Sequence, residues 1–311
     1  MMKIAVLYGG ASAEREVSIS SGKGIMDALK KLGHDVIGID FHPQRLEEIV
    51  KLKDVDFVFL GLHGRYGEDG RIQALLDMME IPYNGSGVLG SALAMDKARA
   101  KVFFKKAGIR VADDVVVEKH RYDETRFQLD LNFPVVIKPS REGSTIGLTI
   151  ANNDDELNDG IKEAFKYDET VLIEEYIKGR EVTVAVMGEK GKEQALPVVE
   201  IIPKNAYYDY EAKYTPGMSE HICPAHLDAK ITEYLQKNAV KAHQALGCEV
   251  YSRIDFIVPD DGSDPVILEV NTLPGMTPTS LFPDAAKVIG LGYEQMIEKL
   301  VQLSLNKKST L

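Results

Sequence analysis

The run "VILEVNTLPGMT", residues 266–277, sets a carboxylate, Glu269, and an amide, Asn271, at the end of an otherwise apolar strand, just before a turn at Pro274 and Gly275. Upstream, "SRIDFIV" carries Asp255 in a second apolar strand, and the "PDDGSD" between them is rich in turn formers. Strands joined so closely can pair antiparallel, bringing Asp255 beside Glu269 and Asn271. Residues 269 and 271 share one face because strand side chains alternate. Two anions and an amide form an all-oxygen cluster, the ligand type that hard divalent cations such as Mg²⁺ prefer, with phosphate or water completing the shell. The plainer alternative is a charged hairpin face in solvent. The apolar company of both acids favours a metal.

A cation site that expects phosphate needs a cradle and further positive charge. The loop "REGSTIG" (141–147) offers Gly143, Ser144, Thr145 and Gly147, whose backbone N–H groups can approach phosphate oxygens closely. It is neither a Walker A loop, lacking the terminal GK[ST] and a following helix, nor GxGxxG. By itself a plain hairpin turn is the simpler account. Lys138 lies in the apolar run "PVVIKP", where an unpaired ammonium is costly. A phosphate partner would account for it.

The elements that must position these groups fall into two patterns. Over the first ninety residues, strand-like runs ("KIAVLYGG", "HDVIGID", "DFVFLGLHG") alternate with helical spacings ("EVSISSGKGIMDALKKLG", "PQRLEEIVKL", "GRIQALLDMMEI"). That alternation predicts a doubly wound parallel sheet, with "GGASAERE" and "GLHGRYGEDG" on its carboxyl-end rim. From about residue 95 the pattern changes. A basic helix (95–108), two strands around the 141–147 loop and a helix from 155 precede "TVLIEEYI", and "REVTVAVMG" and "ALPVVEII" then suit antiparallel strands. Residues 205–227 form a long aromatic segment without period, a length usually tied to function. A helix (228–246), the two carboxylate strands and a closing helix complete the chain. The expected fold class is α/β in three units: 1–94, 95–182 and 183–311.

Length and charge narrow the partners. At 311 residues the chain suits about two or three domains. A net charge of −11 argues against a general nucleic-acid binder, though not against a small anionic substrate met by local lysines. No apolar run approaches the roughly 20 residues of a membrane helix. Cys223 and Cys248 make no metal-type pair and suit reduced thiols in a cytoplasmic protein.

Taken in order, "GGASAEREVS", "LHGRYGEDG", "MDKARAK", "VIKPSREGSTIG", "YDYEAKY", "RIDF" and "LEVNTLPGMT" resemble the D-alanine–D-alanine ligases of the ATP-grasp superfamily, from about residue 4 to residue 300. The resemblance implies an N-terminal α/β unit and ATP held between a central and a C-terminal unit. It implies that Lys97 and Lys138 contact phosphates, that Glu174, Glu175 and Ile177 border adenine, and that Glu181 binds ribose. By the same likeness Asp255, Glu269 and Asn271 hold two Mg²⁺ (or Mn²⁺) ions, and the mobile-loop Lys213 reaches the transferring phosphate. Glu14, Ser144 and Tyr214 form a network around the first D-alanine. Arg253 and the Gly275 N–H stabilise a tetrahedral oxyanion, His63 lies near the acceptor, and Ser280 with the Leu281 N–H binds the second substrate's carboxylate. A cytoplasmic homodimer is the family expectation.

Two departures, "STIG" for the commoner "SSVG" and Ala74 where glycine is usual, remove no chemical group. Tyr214 stands where D-lactate-using relatives generally carry Phe, which favours an amine acceptor. The alternatives are a related ligase with a D-lactate, D-serine or other acceptor, and a nucleotide-binding regulator without turnover. The latter class usually lacks part of the metal or oxyanion set, and here that set is whole.

Overall fold

A computed structural model describes residues 1–203 and 219–307. Tyr207, Tyr208, Tyr210, Lys213 and Tyr214 lie outside them. The N-terminal sheet is parallel, with β1 (Lys3–Gly9) between β2 (Asp35–Phe41) and β3 (Phe57–Leu60). Helix α1 (Arg15–Lys31) crosses from β1 to β2 and stops at Gly33, whose φ of 85° few other residues would adopt. The "IAVL" of β1 is wholly buried, as a strand covered on both faces should be. The segment expected as a helix before β3 is instead a 3₁₀ stretch, Leu46–Asp54, with only Ile49 and Leu52 buried. Two apolar anchors over nine residues give little reason for a longer amphipathic α-helix.

Helices α2 (Arg71–Met78), α3 (Val88–Met95) and α4 (Lys97–Lys106) lead away from this sheet. The basic helix starts two residues later than the apolar spacing suggests, because Asp96 accepts from the Arg99 N–H and caps it. A four-stranded antiparallel sheet follows, from β4 (Asp114–Glu118), β5 (Val135–Pro139), β6 (Thr149–Ala151) and, after α5 (Asp154–Ala164), β7 (Thr170–Glu175), in the order β4-β7-β5-β6. The third sheet is built from β8 (Gly179–Gly188), β9 (Gln194–Ala195), β10 (Val199–Pro203), β11 (Ser219–Ile222) and, beyond α6 (Ala229–Ala245), β12 (Val250–Pro259) and β13 (Val266–Asn271). Its order is β11-β10-β8-β12-β13, with β9 paired to β8. Helices α7 (Leu281–Val288) and α8 (Tyr293–Leu305) close the chain.

The core beneath the parallel sheet is not local in sequence. Phe282, Met296, Ile297, Leu300 and Val301, all fully buried, belong to the same cluster as Ile4, Leu7 and Phe59. The C-terminal helices therefore return to cover the first sheet and bring the β13 turn to its rim. Among the described residues no helix is long and apolar enough to cross a membrane, and both cysteines are free thiols.

Candidate active site

Strands β12 and β13 pair antiparallel, with Asp255 opposite Glu269 and Arg253 opposite Asn271. The register shifts immediately after Asp255, a bulge of the kind that re-aims side chains beside active sites. Asp255 is 5% exposed. It accepts from Thr183 Oγ1 at 2.5 Å, from Arg253 Nε and Nη2 at 3.0 and 2.8 Å, and from Asn271 Nδ2 at 3.1 Å. Glu269 meets Lys97 Nζ at 3.0 Å. Each carboxylate is thus matched by a cation of the chain, the condition for keeping two acids side by side away from water.

Lys97 begins α4 and also donates to the Glu142 carbonyl at 2.6 Å. Burial works against its charge, but Glu269 first, then Glu174 and Glu68, outweigh it and hold the ammonium above its ordinary range. Beyond Lys97 lies a second charged group. Glu174, at the end of β7, takes both Lys101 and Lys138, and these lysines overcome its burial and keep its carboxyl below the usual range. Glu175 accepts from the Asp113 N–H at 3.1 Å. Ile177 is half-buried just after the strand, and Glu181 lies on β8 two residues before Thr183, on the same face.

A cleft of about 1010 Å³ runs between the N-terminal rim and the β13 turn. Ten of the residues singled out in the sequence line it: Glu14, His63, Lys97, Ser144, Arg253, Glu269, Asn271, Gly275, Ser280 and Leu281. Asp255 lies behind this wall, and Lys138, Glu174, Glu175, Ile177 and Glu181 lie outside it. Glu14, at the start of α1, accepts from Ser144 Oγ at 2.5 Å, which ties the first unit to the 141–147 loop. Ser144 and Thr145 hold left-handed φ values of 51° and 66°, strain that their surroundings must impose. His63 is buried, with Nδ1 donating to the Leu273 carbonyl at 2.9 Å and Nε2 beside Ser21 Oγ at 3.0 Å. Burial lowers its pKa below the ordinary histidine value. Ser280 is the N-cap of α7 and Leu281 its first residue, so the cleft ends on a helix N-terminus, which favours an anion.

Several cleft residues escaped the sequence reading of single positions, among them Glu16, Glu68, His221 and Asp284. Glu68, in the quoted "RYGEDG", accepts from the Gly64 N–H at 2.8 Å. Burial, and then the nearby Glu14 and Glu269 charges, push its pKa well above the carboxylate range. Its neighbour Asp69 is an equally good acid in sequence, so nothing local distinguished them.

The donors fit a hard cation. Asp255, Glu269 and Asn271 are oxygen ligands on adjacent strands, and Arg253 and Lys97 now balance the charge that a metal would share. Among the described residues no three His, Cys, Asp or Glu side chains form a metal cluster by themselves. A cation here would therefore need further oxygens from phosphate or water, which suits a nucleotide site better than a structural one.

A parallel sheet followed by two antiparallel sheets, with lysines and strand-borne acids between them, is the architecture of the ATP-grasp enzymes. Residues 39–86 match the family described as D-ala D-ala ligase N-terminus, and residues 103–302 match D-ala D-ala ligase C-terminus. The chain is 68% identical to a D-alanine–D-alanine ligase of Halalkalibacterium halodurans, over 98% of this chain and all of that one. It is 47% identical to one of Geotalea uraniireducens, over 99% and 97%. Among solved structures, the Bacillus anthracis D-alanine–D-alanine ligase complexed with ATP matches with a TM-score of 0.82 at 34% identity, covering 98% of this chain and 97% of that one. The VanG D-Ala:D-Ser ligase of Enterococcus faecalis matches with 0.83 at 34%, covering 97% and 99%. The chain belongs to the D-alanine–D-alanine ligase family.

Proposed function

We propose that this enzyme joins two D-alanine molecules at the expense of ATP, through an acyl phosphate, to supply the dipeptide for peptidoglycan. The observation that carries the reading is the Glu14–Ser144 bond across the same cleft that holds the Lys97–Glu269 pair and the Gly275–Ser280 turn. An ammonium-binding acid, a phosphate-binding cation and a carboxylate-binding helix end are what two amino acids and a nucleotide require.

Nucleotide lies between units 95–182 and 183–311, with Glu174, Glu175 and Ile177 at adenine and Glu181 at ribose. Lys97 and Lys138 hold phosphate oxygens, and Lys213 reaches the transferring group. Asp255, Glu269 and Asn271 would hold two Mg²⁺ (or Mn²⁺) ions, which when bound neutralise phosphate charge and help align the transfer. Glu14 faces the ammonium of the first D-alanine and, with Ser144 and Tyr214, presents its carboxylate to the γ-phosphoryl group. The amine of the second D-alanine then attacks the acyl phosphate and phosphate leaves. Its carboxylate is held by Ser280 Oγ and the Leu281 N–H, with His63 behind it. Arg253 and the Gly275 N–H stabilise the tetrahedral oxygen, contacts worth roughly 3–4 kcal/mol each. A homodimer in the cytoplasm follows from the family likeness.

ADP should form only when D-alanine and Mg²⁺ are both present. Absence of D-alanine-dependent phosphate release would reject the reading. Product mass spectrometry with D-alanine, D-serine and D-lactate supplied together identifies the acceptor.

A further inference from the structure

The turn that carries Gly275 is gripped by a cleft-lining histidine and by a serine outside the cleft. Ser21, on α1, is fully buried, and its Oγ accepts from the Met276 N–H at 3.2 Å while meeting His63 Nε2 at 3.0 Å. His63 reaches the Leu273 carbonyl at 2.9 Å through Nδ1. A carbonyl only accepts, so Nδ1 carries the proton. Nε2 of the neutral ring is then an acceptor, and the Ser21 hydroxyl donates to it. The contacts close a ring, from Ser21 through His63 to Leu273 and back from Met276, with Pro274 and Gly275 as the only residues between the two anchor points. Every group in the ring uses its hydrogen bond in the one sense its neighbours allow. Two further bonds steady the frame. Tyr293 OH donates to the Met276 carbonyl at 2.5 Å, and Ser12 Oγ donates to the His63 carbonyl at 2.8 Å. Ser12 Oγ also accepts from the Glu14 N–H at 3.2 Å, so the same frame reaches the residue facing the first substrate.

We propose that Ser21 and His63 clamp the Leu273–Met276 turn so that the Gly275 N–H points where the tetrahedral oxygen develops, which makes Ser21 a positioning residue for the ligation step. The catalytic part of this rests on the ligase reading; the clamp itself rests on the contacts. Ser21 does not line the cleft and touches no substrate site. Its effect must pass through the turn, and a donor displaced by a fraction of an ångström loses much of its worth to a transition state.

Three measurements on the full chain test it: steady-state kinetics, inhibition by a phosphinate dipeptide that mimics the tetrahedral intermediate, and amide hydrogen exchange over residues 272–277 without ligand. Ser21→Ala should lower kcat about 10- to 100-fold and weaken the phosphinate by a similar factor, with KM for ATP within about twofold of the parent. Exchange over 272–277 should quicken, and Ser21→Thr, which keeps the hydroxyl, should restore much of kcat. Should Ser21→Ala fail to fold, Ser21→Cys removes the O–H at nearly constant volume and carries the same expectations. Unchanged kcat and phosphinate affinity in a folded variant would overturn the proposal, as would loss of ATP affinity in step with kcat. If the parent enzyme shows no D-alanine-dependent turnover, the ligase reading fails and exchange alone decides the clamp: faster exchange upholds it, unchanged exchange removes it.

Discussion

Replacing Gly275 by alanine tests the second stage of the reaction with little disturbance elsewhere. The Gly275 backbone is not left-handed, so a side chain brings no conformational strain there. A Cβ at this position would stand 3.2 Å from Ser280 Oγ and 3.8 Å from Ser280 Cβ. Ser280 cannot simply rotate away without loss, because its Oγ accepts from the Thr277 N–H at 3.1 Å and pairs with Thr277 Oγ1 at 2.7 Å. Either Ser280 or the turn must therefore yield by a few tenths of an ångström. A full 1 Å misplacement costs on the order of 100-fold in rate, so this shift should cost about tenfold, or about 1.4 kcal/mol of transition-state binding. With ATP saturating and D-alanine varied, kcat/KM for the second D-alanine should fall by that factor while KM for ATP holds. The thermal midpoint should move by no more than about 3 °C, since the contact is with one side-chain end. Unchanged kcat/KM would mean that this turn does not face the reacting carbon. An equal loss of ATP affinity would mean that the turn belongs to the nucleotide site.

Glu269→Gln keeps a hydrogen-bond acceptor for Lys97 but removes the charge that would bind a cation; turnover should drop at least about 100-fold while stability falls by only about 1–3 kcal/mol, checked by phosphate release against urea denaturation. Ser144→Ala deletes the partner of Glu14 and should raise KM for the first D-alanine about tenfold, with nucleotide titration unaffected. His243 predicts acid sensitivity away from the cleft. It is fully buried, bonded through Nδ1 to Ser252 Oγ at 2.7 Å, and burial depresses its pKa to about 4. The unfolded chain takes up that proton near 6.5 and the folded chain only near 4, so stability is lost as pH falls through this window, by about 2 kcal/mol at pH 5 and about 3 kcal/mol below pH 4. The difference in unfolding free energy between the parent and His243→Asn, followed by far-UV circular dichroism, should shrink by those amounts, and a difference independent of pH would show that His243 is not buried as a neutral ring.

The pairing of the two carboxylate strands could be foreseen because their information is local. Alternation in "VILEVN" and a short turn set which face Glu269 and Asn271 share, and antiparallel pairing with "SRIDF" then leaves few registers. Helix caps were less legible. Asp96, which caps α4, also accepts at 2.9 Å from Ser140, a residue just past β5 that nothing near Asp96 in sequence foretells. Helices α3 and α7 were missed altogether: "VLGSALAM" has no polar face against which an apolar stripe could stand out, and "LFPDAAKV" carries a proline within a short run.

Residue types and spacing by themselves determined the chemistry on offer: oxygen ligands for a hard cation, lysines for phosphate, a parallel sheet with a functional rim. Only the folded chain decided which of these groups meet. Glu14 finds Ser144 across 130 residues, His63 finds Leu273 across 210, and the last two helices bury the apolar surface of the first sheet. A sequence period reports that a face is apolar and not which distant surface will cover it. The pairing of Lys97 with Glu269, and of Ser21 with the Leu273–Met276 turn, is set by that covering, because a buried polar group takes whichever partner packing delivers.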